Sequence, residues 1–229
     1  MARTLVMGDI HGNLKALEQC LERCSFDLEN DKLIQLGDVC DRHPDSALVV
    51  EKLIKISKLV AIRGNHDPWL KKWLRSEEVN PAWPDNGGIS TIQSYIQAGD
   101  KIDRSKHLTF LEEQVDFHVD EENRVFIHAG FTNPKGPSFE QPSSNCYWDR
   151  SLWLKSMEAR TTGRQPDFLN AFKEIYIGHT PTIKWLQDTP MQAFNVWNLD
   201  TGAGWHGKLT VMDIDTKEYW QSDASGLLY

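Results

Sequence analysis

The fold is decided by one short stretch, Thr4-Leu5-Val6-Met7-Gly8-Asp9-Ile10-His11. Its apolar run predicts a buried strand, and the glycine that follows lets the chain turn tightly beside two metal-binding side chains. Similar stretches follow at 33–38 and 59–66, and apolar residues at helical spacing occupy 13–24 and 46–56. This alternation of strand and helix is typical of a parallel sheet with covering helices, an α/β fold.

The rest of the chain follows a different pattern. Helices are predicted between residues 68 and 122, which we interpret as a small helical cap inserted over the site, with Ile92 and Ile96 on one side of the helix at 89–97. Alternating sequences then predict a second, more antiparallel sheet. Its strands are expected at 125–129, 174–177, 194–199, 208–213 and 218–221. With no internal repeat, we expect a single domain over 1–229.

The overall composition limits the class of protein. The 229 residues carry a formal net charge of −8, which argues against a protein that coats a nucleic-acid polymer or binds a membrane surface. No stretch is long enough to span a bilayer, and Gly8-Asp9 comes too early to leave room for a signal peptide. The four cysteines lack zinc-site spacing and are interpreted as free thiols. We therefore expect a cytoplasmic protein of undetermined oligomeric state.

Metal-binding side chains lie next to glycine in five fragments of the sequence. These are Gly8–Asn13, Gly37-Asp38, Gly64–Asp67, Ile127–Gly130 and Gly178–Thr180. Each fragment follows a predicted strand, and ligands of such sheets gather beyond the carboxyl ends of the strands. One such fragment would be an ordinary polar loop, but five at the same edge of a sheet favour a site. The side chains that could hold two divalent cations are Asp9, His11, Asp38, Asn65, His128 and His179.

The chemistry of these ligands indicates which cations they suit. Mixed imidazole and carboxylate ligands favour Mn²⁺, Fe, Zn²⁺, Co²⁺ or Ni²⁺ over Ca²⁺ or Mg²⁺. Two cations about 3.5–4 Å apart can activate a bridging water for in-line attack on the phosphorus of a phosphate ester. The sequence therefore predicts two divalent metal ions as cofactors, with Mn²⁺ as the first choice.

The order of the motifs resembles that of the calcineurin-like metallophosphoesterases. The motifs are Gly-Asp-Ile-His-Gly, Gly-Asp-Val-Cys-Asp-Arg, Arg-Gly-Asn-His-Asp, His-Ala-Gly and Gly-His-Thr-Pro, between residues 7 and 213. More narrowly, the chain is similar to the serine/threonine phosphoprotein phosphatases and their bacterial relatives, including the symmetrical diadenosine tetraphosphate hydrolases. The resemblance implies an α/β/β/α sandwich of two mixed β-sheets flanked by helices, with a small helical cap insertion.

The same resemblance assigns roles to the site residues. It implies that Asp9 and His11 bind the first metal and that Asp38 bridges to the second, whose other ligands are Asn65, His128 and His179. His66 would be the general acid, oriented by Asp41. The arginines that would clamp the phosphoryl oxygens are Arg42, Arg63 and Arg150. For Arg150 the alternative of a surface arginine after a loop stays open.

Three positions depart from the family pattern. His43 stands where the phosphatases usually have glycine, and exposure is the interpretation favoured over contact with substrate. Asp67 replaces a glutamate and is expected to support its loop without a part in the chemistry. His206 stands where a glycine is common, and either an effect on substrate choice or no role at all is consistent with the sequence.

The resemblance favours one function among three. The predicted activity is hydrolysis of phosphate monoesters, with phosphoserine or phosphothreonine proteins or small phosphate esters as substrates. The alternative, a dinucleoside polyphosphate hydrolase, needs a pocket for a base, which the nine tryptophans could line, although packing is their more common use. A non-catalytic scaffold is disfavoured because all six ligands and His66 are present.

Overall fold

A computed structural model describes residues 2–229, so Met1 of the predicted 1–229 domain lies outside the described residues. The chain forms two five-stranded sheets. The strands are β1 (Thr4–Met7), β2 (Lys32–Gln35), β3 (Leu59–Ala61), β4 (Phe117–Val119), β5 (Arg124–Ile127), β6 (Glu174–Ile177), β7 (Met191–Ala193), β8 (Val196–Asn198), β9 (Thr210–Asp213) and β10 (Tyr219–Gln221). The first sheet has the order β10-β9-β1-β2-β3, and the second has the order β4-β5-β6-β8-β7.

Helices cover the outer face of each sheet. They are α1 (Leu14–Arg23), α2 (Ser46–Leu53), α3 (Asp67–Ser76), α4 (Gly88–Ala98), α5 (Arg104–Glu113), α6 (Asn145–Trp148), α7 (Ser151–Thr162) and α8 (Ser225–Leu228). The helix predicted at 13–24 is α1, and Asn13 caps it, because its side chain accepts the Ala16 backbone N–H.

The alternation of side chains along each strand divides the core into three layers. Leu5 and Met7 of β1 pack with buried residues of α1 to α5, whereas Val6 between them faces the second sheet. Phe126 and Tyr176 meet it from the other side, with their rings stacked 5.0 Å apart. Beyond the second sheet, Trp153 of α7 packs on the outer face of β5 and β6. These layers confirm the predicted α/β/β/α sandwich.

The strands of the first sheet confirm the predicted parallel core and correct its extent. β1, β2 and β3 are parallel and in register. The predicted strands at 208–213 and 218–221, expected in the second sheet, form β9 and β10 of the first instead. The reason is that β9 takes the free edge of β1 in antiparallel pairing, with Leu5 opposite Asp213.

The second sheet is mixed, so the prediction of a more antiparallel sheet was wrong. β5, β6 and β8 are parallel, and only the edge strands β4 and β7 are antiparallel to their neighbours. Each parallel strand ends beside the same edge as β1 to β3. Both sheets therefore direct their carboxyl ends towards one site.

The segment at 68–122 supplies α3, α4 and α5. Their buried side chains, such as Leu70, Tyr95 and Phe110, join the core cluster that also contains Leu5 of β1. Of the two isoleucines predicted on one side of α4, Ile92 packs against the core and Ile96 is 65% exposed, whereas Thr91 and Tyr95 are fully buried. Thr91 is buried because its hydroxyl reaches the site loops. Among the helices of residues 2–229, none has the length and hydrophobicity needed to cross a membrane.

Candidate active site

Tight loops at the strand ends bring the predicted ligands together. Asp38 and His179 have φ angles of 55° and 65°, a left-handed conformation that costs non-glycine residues about 1–3 kcal/mol each. The loops also approach one another closely, since a Cβ on Gly64 would lie 2.1 Å from the Asp38 backbone nitrogen. Glycine at position 64 is therefore required by contact between the β2 and β3 loops.

Asp38 lies at the centre of the site. Two groups of buried donors share it, each with its ligand atoms within 4.8 Å of one another. The groups are His11, Asp38 and His66, and Asp38, His128 and His179. One Asp38 oxygen lies 3.5 Å from Nε2 of both His11 and His128, and Nε2 of His128 lies 3.1 Å from the Asn65 side-chain oxygen. Asp38 is thus the one carboxylate common to both donor groups, and its bridging role remains a prediction.

Backbone carbonyls orient the three predicted ligand histidines. His11 Nδ1 lies 3.1 Å from the Cys40 carbonyl, and His128 Nδ1 lies 2.7 Å from that of Leu36. In His179 it is Nε2 that lies 3.1 Å from a carbonyl, that of Trp148. Because a carbonyl can only accept, each of these nitrogens carries the proton, and the other ring nitrogen keeps a lone pair for a cation.

Asp9 is placed differently from the other predicted ligands. Its carboxylate accepts the His179 backbone N–H at 3.2 and 3.1 Å, and within residues 2–229 it belongs to neither donor group. A Cβ on Gly178 would lie 2.1 Å from one of its oxygens. Asp9 thus links the β1 loop to the β6 loop, and its role as a metal ligand remains a prediction.

The electrostatics of the site suit divalent cations. Burial lowers the pKa of His11 and of His179 well below the usual range, which leaves the neutral imidazole that binds metals. Burial, together with Asp200 and Asp38, raises the pKa of Asp9 well above its usual range. Burial would also raise the pKa of Asp38, but the imidazoles of His128 and His66 outweigh it and lower that pKa. Burial would lower the pKa of His128, but the Asp38 carboxylate outweighs it and raises that pKa. Crowded buried carboxylates beside these imidazoles fit a pair of cations.

His66 and Asp41 form a buried pair beside this centre. His66 Nδ1 lies 2.6 Å from an Asp41 oxygen. Burial alone would lower the pKa of His66, but the carboxylates of Asp38 and Asp41 outweigh it, and the net shift is upward. The protonated ring required of a general acid is thereby stabilised.

Two residues that sequence reasoning missed hold Asp41 in place. The Trp83 indole N–H lies 2.8 and 2.9 Å from the two Asp41 oxygens, and the Thr91 hydroxyl donates to one of them at 2.7 Å. Both residues come from the 68–122 segment and are fully buried. The run Asn86-Gly87-Gly88 before Thr91 was its only sequence signal, and nothing distinguished Trp83 from its neighbouring tryptophans.

Asp67 supports the loops from below, in agreement with its interpretation from the sequence. Its carboxylate accepts the backbone N–H groups of Asp38, Val39 and Gly64 at 2.8–3.1 Å. The side-chain amide of Gln114 donates a fourth hydrogen bond at 2.9 Å. Because Asp67 opens α3, it ties the β2 and β3 loops to the helical layer.

The predicted arginines separate into two groups. Arg42 and Arg150 line a cavity of about 80 Å³ at the donor groups. Arg150 is fixed there by hydrogen bonds to the His179 carbonyl at 2.5 Å and the Thr180 hydroxyl at 2.9 Å. Arg63 is outside the lining of this cavity, because its guanidinium is paired with Asp116 and donates to the Gln114 carbonyl at 2.8 Å.

The mouth of the cavity carries residues that the sequence did not indicate. Lys184 and Trp205 are exposed there, and the buried residues Pro181 and Asp200 complete the lining. Burial raises the pKa of Asp200 to about 6. His206 is exposed and lies outside the lining. His43 is not exposed, so the favoured interpretation of it was wrong, and it lies outside the lining of the cavity. It is half-buried, and its Nε2 donates to the Ala203 carbonyl at 2.8 Å.

Comparisons with known proteins agree with this geometry. The family described as calcineurin-like phosphoesterase matches residues 2–206. Serine/threonine-protein phosphatase 1 of Salmonella typhimurium is 29% identical over 91% of this chain and 90% of its own length. The symmetrical bis(5'-nucleosyl)-tetraphosphatase of Pseudomonas fluorescens is 26% identical over 94% and 92%. A crystal structure provisionally described as a diadenosine tetraphosphatase shares the fold, with a TM-score of 0.67 and 18% identity over 96% and 92%.

Proposed function

Because this chain belongs to the calcineurin-like phosphoesterase family and is a hydrolase of phosphate esters, we propose that it acts on phosphate monoesters. Phosphoserine and phosphothreonine side chains of proteins are the proposed substrate class. The observation that carries this proposal is the small cavity in which Arg42 and Arg150 face the donor groups and His66. Its volume of about 80 Å³ is far below the ~300–1,000 Å³ typical of sites that enclose a whole small-molecule ligand.

The proposed metals are two divalent cations, with Mn²⁺ first and Fe, Zn²⁺, Ni²⁺ or Co²⁺ as alternatives. The residues that would hold them are Asp9, His11, Asp38, Asn65, His128 and His179. When bound, such a pair supplies Lewis acidity and a nucleophilic water for in-line attack on phosphorus.

The protein's own side chains account for the other requirements of the reaction. The guanidinium groups of Arg42 and Arg150 bind and orient the phosphoryl oxygens through charge-assisted hydrogen bonds. His66 protonates the leaving oxygen from its Nε2, since Nδ1 is held by Asp41 at 2.6 Å. Asp41 keeps the ring in that orientation and stabilises its positive charge. The leaving group therefore lies on the His66 side of the cavity.

A second candidate, a dinucleoside polyphosphate hydrolase, is favoured by aromatic residues on that side. Trp69 packs edge-on against the His66 ring at 5.2 Å, and Trp148 packs against Trp69 at 5.9 Å. Trp148 is 46% exposed, so a face of its indole is open to a base. Base–aromatic stacking contributes about 1–3 kcal/mol per base, enough to influence the choice of substrate.

Parallel assays distinguish the two candidates. With Mn²⁺ added, kcat/KM would be measured for a phosphoserine peptide, para-nitrophenyl phosphate and diadenosine tetraphosphate. We expect the two monoesters to be preferred, and a strong preference for the dinucleotide would overturn the proposal. In that case Trp148→Ala should weaken hydrolysis of the dinucleotide alone. Trp220→Ala, at a half-buried tryptophan of β10, is the control.

A further inference from the structure

Arg42 is held by contacts that the proposed chemistry does not explain. Its φ is 71°, its backbone N–H donates to the Gly87 carbonyl at 3.2 Å, and its guanidinium lies 4.0 Å from the centre of the Trp205 ring. Its buried Nε has no hydrogen-bond partner within residues 2–229. The orientation of this guanidinium therefore depends on Trp205 packed against it.

Trp205 belongs to a loop, residues 200–207, which we call the tryptophan loop. The loop lies directly on the site, because a Cβ on Gly204 would come within 2.8 Å of Arg42 Cδ and 2.3 Å of His11 Cδ2. A small displacement of the loop would therefore change the position of Arg42. The contacts that hold the tryptophan loop in place therefore also hold Arg42, the proposed phosphate-binding arginine.

One backbone carbonyl anchors the tryptophan loop from outside the site. The Ala203 oxygen accepts two hydrogen bonds, from His43 Nε2 at 2.8 Å and from the Ser225 hydroxyl at 2.7 Å. Ser225 in turn accepts the Asn13 side-chain N–H at 3.0 Å, and its own backbone N–H donates to the Gly207 carbonyl at 2.8 Å. The first turn of α8 thus joins the loop to the cap of α1.

Tyr229 supports His43, the other donor to the Ala203 carbonyl. Its ring lies 5.3 Å from that of His43, and its hydroxyl donates to the Asp45 carboxylate. Lys15 covers the same ring, with Nζ 4.4 Å from its centre. Residues 225–229 therefore pack against His43, whose Nε2 donates to the Ala203 carbonyl.

We propose that His43 and residues 225–229 act as a latch that fixes the tryptophan loop and thereby positions Arg42 for phosphate. His43 is a positioning residue in this arrangement, since it lines no part of the cavity. The latch accounts for a histidine at a position where glycine is expected from the family pattern, because glycine offers no donor to Ala203. This inference rests on the proposed role of Arg42 in binding phosphate.

The test is the affinity of the Mn²⁺-loaded protein for inorganic phosphate, measured by isothermal titration calorimetry. If phosphate binding depends on the latch, loss of one hydrogen bond of the latch should weaken that binding by about fivefold. We expect His43→Gly to raise the phosphate Kd, and the KM for para-nitrophenyl phosphate, by about that factor, with kcat changed less. Ser225→Ala should shift both in the same direction. His43→Gln, whose amide can occupy the place of Nε2, should restore most of the affinity.

A double-mutant cycle separates positioning from general destabilisation. In an Arg42→Ala background, His43→Gly should have less than about a twofold effect on the phosphate Kd, because its target is gone. An equal effect in both backgrounds, or an unchanged Kd in the single variant, would overturn the latch. His118→Ala, at a half-buried histidine of β4, is the control and should leave Kd unchanged.

The two proposals fail in distinguishable ways. If the wild-type protein binds phosphate but hydrolyses none of the monoesters, the proposed function fails while the Kd comparison still decides the latch. If the wild-type protein does not bind phosphate, the role of Arg42 is lost and the latch is overturned with it.

Discussion

The predicted metal ligands each follow a strand of the two sheets, whereas the residues at the mouth of the cavity come from loops that other loops hold in place. Asp38 follows β2, and its backbone is fixed by Asp67 and by close contact with Gly64. Trp205, at the mouth, depends on Ala203 and on contacts with residues 225–229. The positions of the predicted metal ligands are therefore determined by the strands that they follow. The mouth of the cavity is determined by contacts between segments far apart in sequence.

The largest effect is expected from replacing Asp38, which lies at the centre of the predicted metal ligands. Asp38→Asn should remove metal from both positions and lower kcat/KM by at least about a thousandfold, because both donor groups share this carboxylate. Metal content by mass spectrometry and turnover of para-nitrophenyl phosphate would be measured together. Asp31→Asn, at a buried aspartate paired with Arg3, is the control and should keep its metal. An unchanged metal content in Asp38→Asn would refute the bridging role.

The next largest effect is expected at His66, the proposed proton donor to the leaving group. His66→Asn should lower turnover of a phosphoserine peptide by about a hundredfold or more, but turnover of para-nitrophenyl phosphate by less than about tenfold. The reason is that nitrophenolate leaves readily without protonation, whereas a serine alkoxide does not. His107→Asn, at a buried histidine bonded to Tyr95, should show no such dependence on the leaving group. Equal losses on both substrates in His66→Asn would argue against a general acid.

Arg42 and Arg63 should differ in their effect on catalysis, because only Arg42 lines the cavity. Arg42→Ala should lower kcat/KM by about a hundredfold, as expected for loss of a charged donor to the transferring group. Arg63→Ala should cost less than about tenfold, because Asp116 and the Gln114 carbonyl hold its guanidinium away from the cavity. Steady-state kinetics on para-nitrophenyl phosphate would measure both. A larger loss in Arg63→Ala than in Arg42→Ala would show that substrate binding rearranges this side of the site.

The cluster of predicted metal ligands could be inferred from the sequence because its signals are local. A strand, a glycine and a ligand such as Asp38 are contiguous, and parallel strands place their carboxyl ends together. The placement of β9 in the first sheet could not be inferred in this way, because its alternating pattern does not specify a partner. β9 pairs with β1, which is far away in sequence, because that strand has a free edge.

The mouth was harder to predict because its contacts are tertiary. Exposure was the interpretation favoured for His43, yet the Ala203 carbonyl 160 residues away accepts its N–H. Similarly, the indole of Trp83 is bonded to Asp41, while the nearby Trp73 packs in the hydrophobic core beside the rings of Trp83 and Tyr95. The sequence gives no basis for telling these two tryptophans apart, and their different contacts appear only in the folded structure.

The smallest expected effect tests whether Trp83 acts through its N–H or through its bulk. Trp83→Phe removes the donor to both Asp41 oxygens, so the free energy of unfolding should fall by about 1–3 kcal/mol beyond the loss of packing. Turnover of the phosphoserine peptide should fall by about tenfold, and that of para-nitrophenyl phosphate by less. Denaturant unfolding and kinetics on the two substrates measure these changes.

Trp153→Phe supplies the matched control for that variant. Trp153 is also fully buried, but its indole nitrogen has no hydrogen-bond partner within residues 2–229. The same reduction in volume there should cost only packing energy and leave the ratio of the two turnover rates unchanged. If both variants lose the same stability and show the same ratio, Trp83 contributes volume alone. Asp41 would then be oriented by Thr91 and the protein backbone without help from the indole.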